Sequence, residues 1–278
     1  MATTDETSQP GGAAASATAT NTAAIATHGD NGDQQMAVFR LIARLADNKY
    51  WLGRRYAEWC SSAPTLESSV AAAAMAQDEL GHARALYPLL RQLAPKAGIA
   101  VGPEIEPETR TKFTALAALA ADFTDWPDFV AANVLIDGAL TQVFQAAQSS
   151  SFEPLAARSR KVLQEERTHT LHGQGWLRRL GREAGPVRAT TEAALRHILP
   201  ETLCWFGPTG AASEQDALAA ASVLDATPDA LRSRFLATIG PVFTAAGLDL
   251  PIRQRGDSWQ LAEPLPWDRW DAEAYRLG

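Results

Sequence analysis

From Met36 onward the chain is written in long Ala- and Leu-rich segments whose apolar residues return about every 3.6 positions, broken by Pro, Gly or Ser/Thr clusters. No strict alternation of the kind that marks a half-buried strand interrupts them. The pattern predicts helices over about 35–60, 65–93, 107–123, 127–149, 153–183, 187–206, 214–224 and 228–246. Several ends are legible: Thr65 with Glu67 after Pro64, Asp125 ahead of Trp126-Pro127, and Glu153-Pro154 at a first turn. Two of these helices run to roughly 30 residues, about 45 Å at 1.5 Å per residue. Rods of that length with short connections predict a bundle, and no repeat of the length used by helical solenoids is present.

Residues 1–33 are almost all Ala, Thr, Gly, Ser, Asn and Asp, too little apolar surface to offset the entropy of ordering, so a disordered tail is expected there. His28 lies in it and is set aside as a site candidate. The helical body is expected over 34–250, with an extension over 251–278. The end of that extension, WDRWDAEAYRLG, is Trp-rich and acidic, and reads as a strap docked on the bundle or as a partner-binding tail.

Composition narrows the function classes. The 278 residues carry 25 Lys and Arg against 32 Asp and Glu, net −7, with no basic tract, which argues against a nucleic-acid surface. No uncharged apolar run of about 18 residues and no basic-then-apolar leader is seen, so a soluble, cytoplasmic protein without a membrane partner is expected. Cys60 and Cys204 lie in no metal-type spacing and are expected to be reduced core thiols.

The chemistry lies in two motifs. In AAAAMAQDELGHARALYPLL, Glu79 and His82 stand three apart, and in RSRKVLQEERTHTLHGQGWLRRL, Glu166 and His169 do the same. Residues three apart share a helix face, so each pair offers a carboxylate and an imidazole to one point. Glu-x-x-His on two helices plus one carboxylate from each of two others is the ligand pattern of ferritin-like di-iron bundles. Iron suits mixed carboxylate and imidazole donors with open positions for dioxygen. Both motifs have core-type neighbours: Met75, Leu80 and Ala83 around the first, Val162, Leu163 and Leu171 around the second. A ferritin-like long four-helix bundle with additional C-terminal helices is therefore the expected all-α fold.

Asp137 in VLIDGALTQVF lies 29 residues before Glu166 in an otherwise uncharged run, and is the third carboxylate candidate. The equivalent place on the first helix, about 30 residues before Glu79, reads LADNKYWLG and offers Lys49 or Tyr50 instead of Glu. Asp47 is the nearest carboxylate, most of a turn away, and is expected to cap a helix or pair with an Arg. Three roles are open to Lys49: its ammonium snorkels to solvent, it pairs with a ligand carboxylate and leaves an asymmetric or mononuclear site, or its charge replaces the metal. Glu165 points about 100° from Glu166 and is not expected inward. His172, three residues past His169, is an extra ligand, a supporting donor or a surface residue, and His197 has no partner motif. Trp51, Trp59, Trp176 and Trp205 read as core or pocket walls.

The stretch ARLADNKYWLGRRYAEWCSSAPTLESSVAAAAMAQDELGHARALYPLL, with the later EERTHTLHGQGWLRRLG, resembles the phenylacetic acid catabolic (PaaA/PaaC) family, ferritin-like subunits of the phenylacetyl-CoA epoxidase complex. The resemblance covers roughly 36–250. It implies one of two kinds of subunit: a catalytic one whose di-iron centre activates dioxygen to epoxidise the ring of an aromatic CoA thioester with electrons from a separate reductase, or a structural partner of the same fold without a functional metal site. The wording DN, LG, EW, AP and LE looks like the structural partner, whereas Glu79, His82, Asp137, Glu166 and His169 stand as in the catalytic one.

Three readings follow. The first is an iron oxygenase or oxidase holding two irons, or one, on Glu79, His82, Asp137, Glu166 and His169, with dioxygen as co-substrate and an aromatic or acyl-CoA substrate. The second is a metal-free structural subunit that stabilises a catalytic homologue in a homo- or hetero-oligomer. The third, iron storage or peroxide detoxification, needs a cage-forming assembly.

Overall fold

The computed structural model describes residues 15–278 apart from 103, 104, 106, 211 and 212, with side chains from residue 32 onward. Helix α1 is Ala15–Ala57 and α2 Leu66–Leu93. A third rod combines α3 (Trp126–Ala132), a π turn (Asn133–Asp137) and α4 (Gly138–Ala146). The fourth is α5 (Glu153–Arg182), followed by α6 (Pro186–Trp205), α7 (Glu214–Ala220) and α8 (Pro228–Ala246). This is the all-α ferritin-like bundle expected from the periodicity. Helix α1 begins inside the stretch expected to be disordered, and residues 1–14 of that stretch lie outside the described residues.

The caps follow the sequence. Thr65 accepts from the Ser68 amide at 3.2 Å and Asp125 from the Asp128 amide at 3.0 Å, each satisfying a first-turn donor. The core is almost wholly aliphatic and aromatic; Ile42, Leu45, Leu52, Leu86, Leu90, Phe129, Leu140 and Phe144 are sealed from solvent. The rod Trp126–Ala146 is apolar and long enough to cross a membrane by composition, but it is mostly buried between its neighbours.

Two expectations fail. Residues 107–123 hold no α-helix, only a 3-10 turn at Ala117–Leu119. Their backbone donors are spent on buried side chains of the bundle instead: the Thr114 amide on Asp47, the Leu116 amide on Asn48, and the Ala117 and Ala118 amides on Glu201. A segment whose N–H groups are held by tertiary partners has no need of the helical ladder. Leu171, assigned to the core, is 60% exposed.

The C-terminal extension contains strands that the sequence pattern did not announce. Antiparallel β1 (Ile252–Arg255) and β2 (Ser258–Leu261) form one hairpin, and β3 (Trp270–Asp271) pairs with β4 (Arg276–Leu277). Four-residue strands are too short for alternation to stand out. The extension docks on the bundle as a strap. The Arg44 guanidinium lies 3.8 Å from the centre of the buried Tyr275 ring, and Trp259 packs over Gly240 of α8, where any Cβ would stand 2.2 Å from the indole.

Gly240→Val is accordingly expected to lift the β1–β2 hairpin off α8 and to cost about 1–3 kcal/mol, the range of overpacking. Trp fluorescence should shift to the red while the helical circular dichroism stays; an unshifted spectrum with unchanged stability would refute the seat assigned to Trp259.

Candidate functional site

Four elements deliver polar groups to one point in the middle of the apolar bundle. α2 brings Glu79 and His82, the π turn brings Asp137, α5 brings Glu166 and His169, and α1 brings Lys49. All six are buried. The π turn matters to this geometry, because a wider turn shifts the register of the rod so that Asp137 and, one turn on, Thr141 both reach the centre. Gly53, one turn past Lys49, lets α1 approach α2 at the same level: a Cβ there would sit 2.9 Å from Leu80 and 3.0 Å from the Glu79 side chain.

Oxygen or nitrogen atoms of Glu79, Asp137, Glu166 and His169 lie within 4.8 Å of one another, a donor set of the size and chemistry a metal ion requires. The Lys49 ammonium stands among them. Its Nζ is 2.9 Å from Glu79, 2.6 Å from Asp137 Oδ1 and 2.5 Å from Glu166 Oε1. Of the three roles open to Lys49 in the sequence, solvent exposure is excluded, since the side chain is wholly buried. Tyr50, the other residue at this place, stacks on Phe113 with ring centres 5.6 Å apart.

The histidines are oriented by a reciprocal device. His169 turns Nδ1 inward, 3.1 Å from both Asp137 Oδ2 and Glu79 Oε1, and its Nε2 lies 3.2 Å from Asp78 Oδ2. His82 turns Nδ1 inward, 3.5 Å from Glu166 Oε1, and its Nε2 lies 2.6 Å from Glu165 Oε2. The acidic residue just before each motif glutamate thus holds the histidine of the opposite helix. A carboxylate on the outer nitrogen is what fixes a metal-ligating imidazole. Sequence reasoning missed Asp78 and treated Glu165 as pointing away; the signal was the acidic pair in both motifs, Asp78-Glu79 and Glu165-Glu166.

The remaining candidates lie outside this cluster. Asp47 accepts from Arg110, from the Tyr87 hydroxyl at 2.9 Å and from the Thr114 amide at 2.7 Å, a structural hub as expected of an Arg-paired carboxylate. His172 packs edge-on to Trp126 and Phe129, with ring centres 6.1 Å away in both cases. Neither of its ring nitrogens has a hydrogen-bond partner among the described residues, and burial together with the charge of His169 pushes its pKa down to about 4.

The electrostatics close on themselves. Burial alone would depress the Lys49 ammonium, but the charges of Asp137, Glu166 and Glu79 outweigh it and hold its pKa well above the ordinary lysine value. Burial would also lower His169, yet its hydrogen bonds to Asp137 and Glu79 push it up to about 11. Against their own desolvation, Asp137 and Glu79 are held below the carboxylate range, with Lys49 and His169 on the favourable side of both. Glu166 goes the other way, raised by burial and the neighbouring Asp137 charge. Lys49 and His169 thus face Asp137, Glu79 and Glu166, and Thr141 donates to Glu166 Oε2 at 2.8 Å.

Comparison with known proteins places the chain in a family. A profile for the phenylacetic acid catabolic protein family matches residues 21–261. The chain belongs to the phenylacetic acid catabolic protein family. Among characterised members, one of the subunits of the 1,2-phenylacetyl-CoA epoxidase of Escherichia coli (strain K12) is 28% identical over 211 residues, which are 76% of this chain and 83% of that protein.

A metal ion does not fit the cluster of this family member as it stands. Ligand oxygens and nitrogens approach such ions at about 2.0–2.2 Å. Here an ammonium, with three donors and no lone pair, already occupies the space among three of the ligand groups and neutralises them.

Lys49→Met should therefore cost about 3–5 kcal/mol in denaturant unfolding, because it strands buried carboxylate charge. Glu166→Gln, which keeps the shape of a carboxyl that burial and the Asp137 charge already push up, should cost far less; equal losses would refute that direction. The pH dependence has a defined sign. His169 is raised from 6.5 to about 11, so its stabilisation is complete below about 6.5 and lost as pH rises through about 11. Asp137 and Glu79 are lowered, so theirs is present above about 4 and lost on acidification. Unfolding followed across that range should show a plateau between the two limbs; a flat alkaline limb in wild type would contradict a charged His169.

Proposed function

We propose that this chain is the metal-free, ferritin-like structural subunit of a multi-subunit oxygenase of phenylacetate-type degradation, acting in the cytoplasm beside a catalytic homologue. The observation that supports it is the Lys49 ammonium, bound to Glu79, Asp137 and Glu166 where a catalytic member would need a first-helix carboxylate and a metal. The family membership and the Escherichia coli relative, itself one subunit of a phenylacetyl-CoA epoxidase, support the multi-subunit setting. In this role the cluster pins four helices at one level through ion pairs that tolerate no misregister, since a slipped helix leaves a charge unpaired. The rigid bundle then offers its outer faces to the catalytic subunit, while the aromatic acyl-CoA substrate, dioxygen, iron and the reductase belong to the catalytic side of the assembly.

The competing reading, in which this chain is itself the iron oxygenase, draws on the two histidines with Nδ1 inward and the outer nitrogens held by Asp78 and Glu165. It requires the Lys49 side chain to leave the cluster. The two separate cleanly by metal content. Protein expressed with added iron and analysed elementally should carry negligible iron, and should elute as a stoichiometric complex when mixed with the catalytic homologue of the same degradation system. Lys49→Glu, which supplies the absent carboxylate, should gain iron. Stoichiometric iron in the wild type, lost in the His82→Ala/His169→Ala variant, would overturn the proposal.

A further inference from the structure

Away from the cluster, the outer face of α5 carries charge of one sign. Lys161, Arg167, Arg178, Arg179 and Arg182 stand exposed along about 30 Å of the helix, and no exposed carboxylate lies between Glu153 and Glu183. The two glutamates inside that span are spent elsewhere, Glu166 buried in the cluster and Glu165 holding His82. Among the described residues Lys161, Arg167, Arg178 and Arg182 make no ion pair, and Arg179 lies 4.7 Å over the Trp176 ring. In a chain of net charge −7 this basic strip is a local reversal of sign.

An uncharged seam runs between the basic flanks. Gln164, Thr168, Leu171 and Gly175 follow one another at helical spacing on the solvent side, and Leu171 is 60% exposed in the middle of them. The contacts His82–Glu165 and Asp78–His169 hold α2 antiparallel beside α5, and its exposed Gln77, Gly81 and Ala85 widen the seam without adding charge. A solvent-facing helix stripe is ordinarily polar, with its leucines turned to the core. Here the leucine is outside and the charges around it are all positive.

We propose that the outer face of α5, with the edge of α2 beside it, is a docking surface for an acidic amphipathic helix of a partner protein. That helix sets an apolar residue on Leu171 and its Asp and Glu side chains on the bases to either side, Arg167 and Arg178 on one flank, Lys161 and Arg179 on the other. Charge complementarity selects the partner and speeds its approach, and the apolar contact fixes where along the strip it stops. Other polyanions fit less well. A bilayer takes up an apolar helix face, and that of α5 is sealed in the core through Val162 and Leu177. A nucleic-acid backbone makes no use of the seam and is repelled by the chain as a whole. The surface is separate from the Lys49 cluster, so its failure would leave the structural-subunit reading untouched.

The probe is a fluorescein-labelled helical peptide of about 18 residues, with leucines at i, i+4 and i+7 flanked by glutamates, read by anisotropy against the full chain at low salt. It should bind with a Kd of about 10–100 μM that weakens as salt is added. Arg167→Glu/Arg178→Glu should weaken it at least about tenfold, and Leu171→Asp by a similar factor. A scrambled peptide of the same composition, which keeps the charge and loses the seam, should bind at least about fivefold more weakly. These positions are exposed, so the thermal midpoint should stay near that of the wild type, and Arg167→Gln/Arg178→Gln should show a smaller loss in the same direction. Absence of saturable binding, equal binding of the scrambled peptide, or affinity undiminished in the variants would overturn the site. So would duplex DNA or phosphatidylglycerol vesicles bound more tightly than the peptide and lost in the same variants.

Discussion

Three carboxylates carried into the middle of a helical bundle cannot remain there without cations to balance them, and in this protein the balance comes from inside the chain. Lys49 reaches Glu79, Asp137 and Glu166 from the first helix, and His169 adds a second positive charge. The local backbone is fitted to that requirement. Gly53 allows α1 close enough to α2 for the lysine to reach, and the π turn rotates Asp137 into place. Asp78 and Glu165 then hold the histidines in the orientation that faces the centre. Moving any one of these groups leaves another buried charge unpaired, so the position of each helix is tied to the other three.

The arrangement differs from a metal centre in one feature above all. Four residues of the metal-ligand pattern, Glu79, Asp137, Glu166 and His169, converge, His82 stands 3.5 Å from Glu166, and the outer carboxylates that orient the imidazoles are present too. The sixth position holds a donor instead of an acceptor. An ammonium is a permanent, tethered substitute for a metal ion: it supplies positive charge and hydrogen bonds but no open coordination site at which oxygen chemistry takes place. In the function proposed here the cluster is a structural element whose ion-pair geometry serves helix register.

Much of this was legible in the sequence because helical spacing is rigid. The Glu-x-x-His pairs, Asp137 and the anomalous Lys49 follow from counting along 3.6-residue turns, and so do most helix boundaries and the caps at Thr65 and Asp125. What spacing does not carry is tertiary pairing. Asp78 and Glu165 act across the bundle on the opposite motif, and only their recurrence beside each motif glutamate sets them apart from surface acids. The segment 107–123 has helical composition, yet Asp47, Asn48 and Glu201 take its backbone amides, and those partners lie up to 84 residues away. The strap strands are too short to show a period, and Leu171 sits on an apolar-looking face that stays exposed among the described residues. The three roles open to Lys49 differ only in where one flexible side chain ends, which packing decides.

The measurement that bears most directly on the central claim is a crystal structure of the wild-type protein soaked in ferrous or manganous ion, with data collected at the metal absorption edge. The account requires Lys49 density reaching Glu79, Asp137 and Glu166, with no anomalous peak among them. A peak between Glu79 and Glu166, with the Lys49 side chain turned out of the cluster, would contradict it.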